Sequence, residues 1–225
     1  FIFQDIELTD TKYNTKGVLA GHISHSQFSK WELDLILVSD NILTLDTEYD
    51  EESLYYGTAF IDGTASITGP TDELEINVNA TSQPNTTFNV PISDAETIGE
   101  YSFIYFLTPE EKLNKQKGRE FIYDQIAGLK LNFDLIINEN ALIEIVVDQE
   151  SGSKLVGRGD GDLRLEINTN GKFDMFGDFV ALNGEYIYKF QGLYEKKFDV
   201  IGGGYLSWEG DPIKANMDIQ AKYRT

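Results

Sequence analysis

Over the last strand-length stretch of the chain the residues alternate without a break. Ala215, Met217, Ile219, Ala221 and Tyr223 are apolar, and Asn216, Asp218, Gln220 and Lys222 between them are polar. A period of two sends successive side chains to opposite faces, so a chain written this way is committed to sheet with one apolar and one wet face. Just upstream, Gly210-Asp211-Pro212 supplies a corner, because Gly tolerates dihedrals that other residues avoid while Pro fixes φ and withholds a donor. The run Phe198 to Trp208 reads as the strand on the far side of that corner.

The same grammar extends over most of the sequence. Leu33, Leu35 and Leu37 alternate with Asp34, Ile36 and Val38, which predicts a strand buried on both faces. Gly57 to Pro70 reads as two short strands separated near Gly63, and Leu74, Ile76, Val78 and Ala80 mark a third. Further on, one-sided apolar sets recur: Leu131, Phe133 and Leu135; Ile143, Ile145 and Val147; Leu163, Leu165 and Ile167; Phe173 and Met175; Tyr186, Tyr188 and Phe190. Consecutive hairpins without long crossovers predict an all-β domain built on a meandering antiparallel sheet, one domain over 1–225. Glycines within the strand patterns, at Gly57, Gly63, Gly161, Gly177 and Gly184, predict a sheet that bends often. The exception is 108–128. There Thr108 as N-cap, Pro109 at the first helical position, Glu111 completing a capping box and Gly128 as C-cap predict one short helix, or a mobile insertion where the apolar spacing fails around Lys115 to Gly118.

Charge excludes several functions. With 18 Lys plus Arg against 38 Asp plus Glu, the net charge of -20 repels phosphate backbones and anionic surfaces, so nucleic acid is not an expected partner. Hydrophobic residues at 41% suffice for a core. With no cysteine there is no disulfide, thiol nucleophile or sulfur metal site. No apolar run approaches the roughly 20 residues of a membrane-spanning helix. The chain opens inside the strand-like run Phe1 to Leu8 without an initiating Met and stops directly after a strong strand, so it is expected to be a piece of a longer protein, with any membrane anchor outside it.

Candidate chemistry is sparse. Gly157-Arg158-Gly159-Asp160-Gly161-Asp162 lacks the further oxygen ligands of a calcium loop and runs straight into a strand, so it reads as a Gly-rich bend between strands. His22 and His25 are the only histidines, too few for a zinc site without converging ligands. Acidic pairs such as Asp72-Glu73 are expected by chance in so acidic a chain and do not make a glycosidase. Trp31 and Trp208 fit core packing better than a sugar platform. No catalytic residue, metal or cofactor is expected.

Three blocks carry a resemblance. The first is Gly21-His22-Ile23-Ser24-His25 with Trp31, Tyr55-Tyr56-Gly57 and Ile67-Thr68-Gly69-Pro70; the second is Gly128 to Leu135 followed by Gly157 to Leu165; the third runs from Gly171 through Gly184-Glu185-Tyr186-Ile187-Tyr188-Lys189-Phe190 to Gly210-Asp211-Pro212. In this order they resemble the C-terminal part of the TamB family, in the AsmA-like group of bridge-like lipid transporters, and within it the Bacteroidetes-type relatives. The Gly210-Asp211-Pro212 turn is the family-motif corner. The resemblance implies a β-taco, a sheet rolled into an open half-pipe with an apolar interior. It further implies a periplasmic segment of an inner-membrane-anchored, envelope-spanning protein of a Gram-negative bacterium that conducts phospholipids to the outer membrane and supports outer-membrane protein assembly with an Omp85-family, TamA-like barrel. Phospholipid acyl chains would then lie on Leu131, Phe133, Leu135, Ile143, Ile145, Val147, Leu163, Leu165, Ile167, Phe173, Met175, Tyr186, Tyr188, Phe190, Met217 and Ile219. The chain stops short of the family's extreme C-terminal segment, so contact with the barrel is implied for the parent protein. The alternative is a chaperone-like or adhesive β-module that binds protein strands or glycans.

Overall fold

A computed structural model describes residues 1–50, 55–91, 128–148, 151–169, 172–190 and 194–223. These residues form one sheet of 14 strands: β1 (Ile2–Thr9), β2 (Lys16–Ser26), β3 (Ser29–Thr47), β4 (Tyr56–Pro70), β5 (Glu75–Ser82), β6 (Thr87–Pro91), β7 (Lys130–Ile137), β8 (Leu142–Asp148), β9 (Ser153–Asn168), β10 (Phe173–Phe190), β11 (Tyr194–Val200), β12 (Tyr205–Gly210), β13 (Asn216–Asp218) and β14 (Ala221–Tyr223). The protein is all-β, as the alternation predicts. The only helical element among the described residues is a 3₁₀ turn, Pro212–Lys214. The helix expected at 108–128 lies outside them, apart from Gly128.

Several labels describe halves of one strand. β4 is paired along one edge with β3, from Glu32↔Pro70 to Thr47↔Gly57. Its other edge is shared by β5, from Thr68↔Glu75 to Ile61↔Ser82, and by β6, from Thr58↔Thr87 to Tyr56↔Asn89. β5 and β6 therefore lie end to end. By the same reasoning β7 and β8 lie end to end along β9, and β12 and β11 along β10.

Two expectations about the sheet fail. The meander is not wholly antiparallel, because β5 pairs with β7 and β6 with β8 in parallel, which a hairpin cannot produce. Nor is the sheet the plain open half-pipe: the pairings β4–β5–β7–β9–β8–β6 return to β4, so six strands close a circuit, with the others added around it. The two parallel arms of the circuit keep one register. Ile76 faces Leu131 and Thr81 faces Ile136 on one side, and Thr87 faces Leu142 and Val90 faces Ile145 on the other. The circuit thus surrounds a gap bounded by Gln83–Thr86 and Asn138–Ala141.

This gap belongs to a longer line of irregularities. Registers shift between Lys16 and Val18 on β2, between Ser39 and Ile42 on β3, and between Ala181 and Asn183 on β10. β11 and β12 are separated at Ile201–Gly204, and β13 and β14 at Ile219–Gln220. Followed through the pairings, these interruptions sit beside one another and form a seam across the strands. A bulge bends the strand that carries it, so aligned bulges bend a sheet along one line.

Side chains stitch the gap, with Thr86 and Ser82 buried. The Thr86 hydroxyl accepts from the Phe60 N–H (3.1 Å) and donates to the Phe60 carbonyl (3.0 Å). The Asn138 amide donates to the Ser82 carbonyl (3.0 Å) and accepts from the Ser82 hydroxyl (3.1 Å). Arg158 donates to the carbonyls of Glu139 (2.8 Å) and Asn140 (2.9 Å). Buried backbone groups that lose ladder partners need such substitutes.

Three local readings are corrected as well. β3 is not buried on both faces: Leu35 is buried, but Ile36 and Val38 are about half exposed on the other side. Gly63 lies in the middle of the single strand β4, paired with both Ser39 and Ala80, so no turn divides it. Gly157 to Asp162 is likewise internal to β9, at the seam, and is not a bend between strands.

Candidate functional site

Directly paired residues on neighbouring strands point to the same face, so the registers alone trace what each face presents. One row runs Leu35–Ile67–Ile76–Leu131–Ile167–Phe173 across β3, β4, β5, β7, β9 and β10. The next runs Leu37–Ala65–Val78–Phe133–Leu165–Met175. Beyond the seam the pattern resumes as Phe88–Ile143–Gly157–Gly184–Val200–Ala221 and Val90–Ile145–Leu155–Tyr186–Phe198–Tyr223. The reverse face carries Asn77 bonded to Asn132 (2.8 Å), Asp134 with Arg164 (3.1 Å), Glu166 with Lys172, and Glu185 with Lys197 (3.5 Å). Such exposed ion pairs contribute little stability each, yet they keep that face wet.

Packing shows that the apolar rows on the two sides of the seam share one side of the sheet. Ile145, from beyond the seam, is buried in one cluster with Phe179, Ala181 and Leu206; Ile137, Ile143, Leu155, Val200, Trp208 and Ile219 pack around them. A narrow cleft remains at this junction, lined by Ile143, Ile145, Leu155, Phe179, Leu206 and Ile219 among others, with about 20 Å³ of free volume. That is space for one water, but the apolar walls give a water no partners. Among the described residues no large side chain is fully buried. The apolar face is therefore continuous but incompletely covered.

Most of the residues singled out in the sequence share this face: Leu131, Phe133, Leu135, Ile143, Ile145, Leu163, Leu165, Ile167, Phe173, Met175 and Tyr186. Tyr188 and Phe190 continue it toward the end of β10 and are 36% and 47% exposed. Met217 faces Leu206 at the sheet margin and is exposed, while Ile219 sits at the β13–β14 break and packs on the cluster. Val147 departs from the set. A register shift between Val146 and Asp148 takes it out of the alternation, leaving Val147 45% exposed and Val146 buried. Gly210-Asp211-Pro212 forms the corner between the paired strands β12 and β13, held by the Lys214 N–H donating to the Asp211 carbonyl (3.0 Å) and the Trp208 indole to the Pro212 carbonyl (3.1 Å).

Phe179, Ala181 and Leu206 were not singled out in the sequence. Phe179-Val180-Ala181-Leu182 is an unbroken apolar run that gives no face assignment, and the Gly202-Gly203-Gly204 triplet was the available sign that a bulge interrupts the strand beside it.

The histidines do not converge on a metal. His22 Nδ1 lies 3.6 Å from Asp34, while His25 Nδ1 accepts from the Phe28 N–H (3.1 Å) and its ring lies 4.6 Å from both Phe28 and Trp31. No group of three potential ligands occurs among the described residues. Near the seam's other end Tyr55 stacks on Phe88 (5.4 Å), and burial pushes the hydroxyl of Tyr55 up from its ordinary value, so it stays neutral.

The TamB C-terminal domain family model matches residues 4–225. No curated protein and no solved structure matches the chain.

Proposed function

The chain belongs to the TamB C-terminal domain family, a component of the translocation and assembly module, and on that premise we propose that its apolar face carries phospholipid acyl chains through the bacterial envelope. The supporting observation is the continuous set of apolar rows, which crosses strand after strand and is backed by a reverse face that carries the ion pairs. Each methylene laid on such a face recovers about 0.8 kcal/mol, while the headgroup stays hydrated at the margin. Because successive rows present the same surface, a tail moves along the stacking direction without meeting water. Transfer of this kind makes and breaks no covalent bond, so it requires no catalytic group. In this reading the segment works in the periplasm, as part of an inner-membrane-anchored protein that meets an Omp85-family barrel.

A second reading draws on β1. Among the described residues it pairs with β2 alone, and Ile2 is 77% exposed. An unpaired edge of this kind can accept a strand from a client protein.

Native mass spectrometry with lipid extraction, on protein expressed in a Gram-negative host and purified without detergent, separates the two. Co-purifying phospholipid that is lost in folded Phe133→Asp or Leu165→Asp protein supports the conduit. A lipid-free, folded wild-type protein refutes it and moves the weight to strand binding.

A further inference from the structure

Beyond the seam, Lys196 sets a charge on the apolar face. Lys196 pairs with Tyr188 across β10 and β11, two residues along from the Tyr186↔Phe198 pair, and so shares the face of Tyr186, Phe198 and Leu155. Its sequence neighbours behave differently. Lys197 projects to the reverse face, where Glu185 lies 3.5 Å away and Glu195 3.6 Å away, and Lys189 on that face lies 4.0 Å from Glu195. Among the described residues no carboxylate lies within 4.0 Å of Lys196. Its ammonium instead sits 5.3 Å from the Tyr194 ring centroid and 5.2 Å from that of Tyr223, with Tyr194 packed edge-on to Tyr188 (6.5 Å). The Tyr194 side chain beside it favours the charged form and raises the Lys196 pKa. An ammonium has three donors, and tyrosine rings hold its charge without neutralising it.

Resting on the conduit reading, we infer that Lys196, framed by Tyr188, Tyr194 and Tyr223, binds the phosphate of a phospholipid headgroup whose tails lie on the adjoining apolar rows. The placement fits both parts of such a ligand. Inward from Lys196 the surface passes to Tyr186, Phe198, Leu155 and Ile145, all apolar, and Phe198 stands between Tyr186 (6.0 Å) and Tyr223 (5.4 Å). With a net charge of -20 the chain repels anions at a distance. Zwitterionic headgroups escape that repulsion, because their ammonium offsets the phosphate charge.

Titration calorimetry with three soluble probes tests the assignment: dihexanoylphosphatidylethanolamine, dihexanoylglycerol with the same tails and no phosphate, and inorganic phosphate. Lys196→Gln is expected to weaken the phospholipid about tenfold, the scale of one lost charge-assisted hydrogen bond, and to leave dihexanoylglycerol unchanged. Lys196→Arg retains binding, and Lys197→Gln, which removes the same charge from the opposite face, has no effect. Near-ultraviolet circular dichroism confirms that each variant is folded. Equal phospholipid affinity in wild type and Lys196→Gln overturns the inference while leaving the conduit intact. Inorganic phosphate bound as tightly as the phospholipid also overturns it, in favour of a free-anion site. If neither tailed probe binds wild type, the conduit reading fails and takes this inference with it.

Discussion

Replacing Thr86 with valine isolates the chemistry that holds the seam together. The side chain is 6% exposed, and its hydroxyl serves both backbone groups of Phe60, itself 5% exposed, at the point where β5 has ended and β6 has not begun. Valine keeps the shape and removes both bonds. The Phe60 carbonyl retains the Gln83 N–H at 2.9 Å, so its loss is small. The Phe60 N–H is left buried without an acceptor, at a cost of about 1–3 kcal/mol. With a urea slope of about 1–3 kcal/mol/M, a loss of about 2 kcal/mol lowers the unfolding midpoint by about 1 M at unchanged slope. Thr86→Ser keeps the hydroxyl and is expected to retain most of the stability. Hydrogen exchange gives an independent readout, since the Phe60 amide should lose protection in Thr86→Val and keep it in Thr86→Ser. A Thr86→Val protein within about 0.5 kcal/mol of wild type would show that the gap is not held by this side chain, and the account of the seam as a stitched interruption would be wrong.

Two further outcomes follow from local geometry. Gly177 has φ of 117°, and a Cβ built there would lie 2.0 Å from the Asp162 carbonyl oxygen, so Gly177→Ala must both strain the backbone and part β9 from β10; a loss of at least about 2 kcal/mol in urea unfolding is expected, and near-neutral behaviour would contradict the register. At the β1–β2 turn, desolvation acts to raise the Asp10 pKa, but backbone donors from Lys12 and Tyr13, with Thr15 adding to them, outweigh it and hold the carboxyl below its ordinary value. A depressed folded pKa stabilises above the unfolded value and loses that contribution as pH falls through the folded one. The stability advantage of wild type over Asp10→Asn should therefore be present at neutral pH and be lost in acid as pH falls from the ordinary carboxylate value through the lowered folded one; an advantage independent of pH would sink the assignment.

Much of the candidate site was legible because strand periodicity is a local property. Once Leu131, Phe133 and Leu135 alternate with polar neighbours, any sheet containing them places all three on one face. Val147 shows where this fails. Its spacing from Ile143 and Ile145 is right, but a register shift between Val146 and Asp148 leaves it without a paired partner, and bulges are fixed by the partner strand. Gly63 and the Gly157 to Asp162 run were read as breaks for the opposite reason: glycine looks like a turn in isolation, while here neighbouring strands run unbroken beside it. Lys196, one of three charged residues between Tyr194 and Phe198, was not singled out in the sequence, because Tyr188 of the neighbouring strand and Tyr223 of the edge strand β14 give it its surroundings.

The sequence by itself determined that this chain is sheet, that nearly every strand has an apolar face, and that the C-terminal corner falls at Gly210-Asp211-Pro212, because each of these follows from side-chain alternation and backbone dihedrals within a few residues. The tertiary structure alone decided that β5 and β7 run parallel, that six strands close a circuit, and that interruptions in distant parts of the chain align into one seam. Those are matters of pairing between segments far apart in the chain. Hydrogen bonding along strand edges sets them, and the edges carry no side-chain pattern from which they could be read.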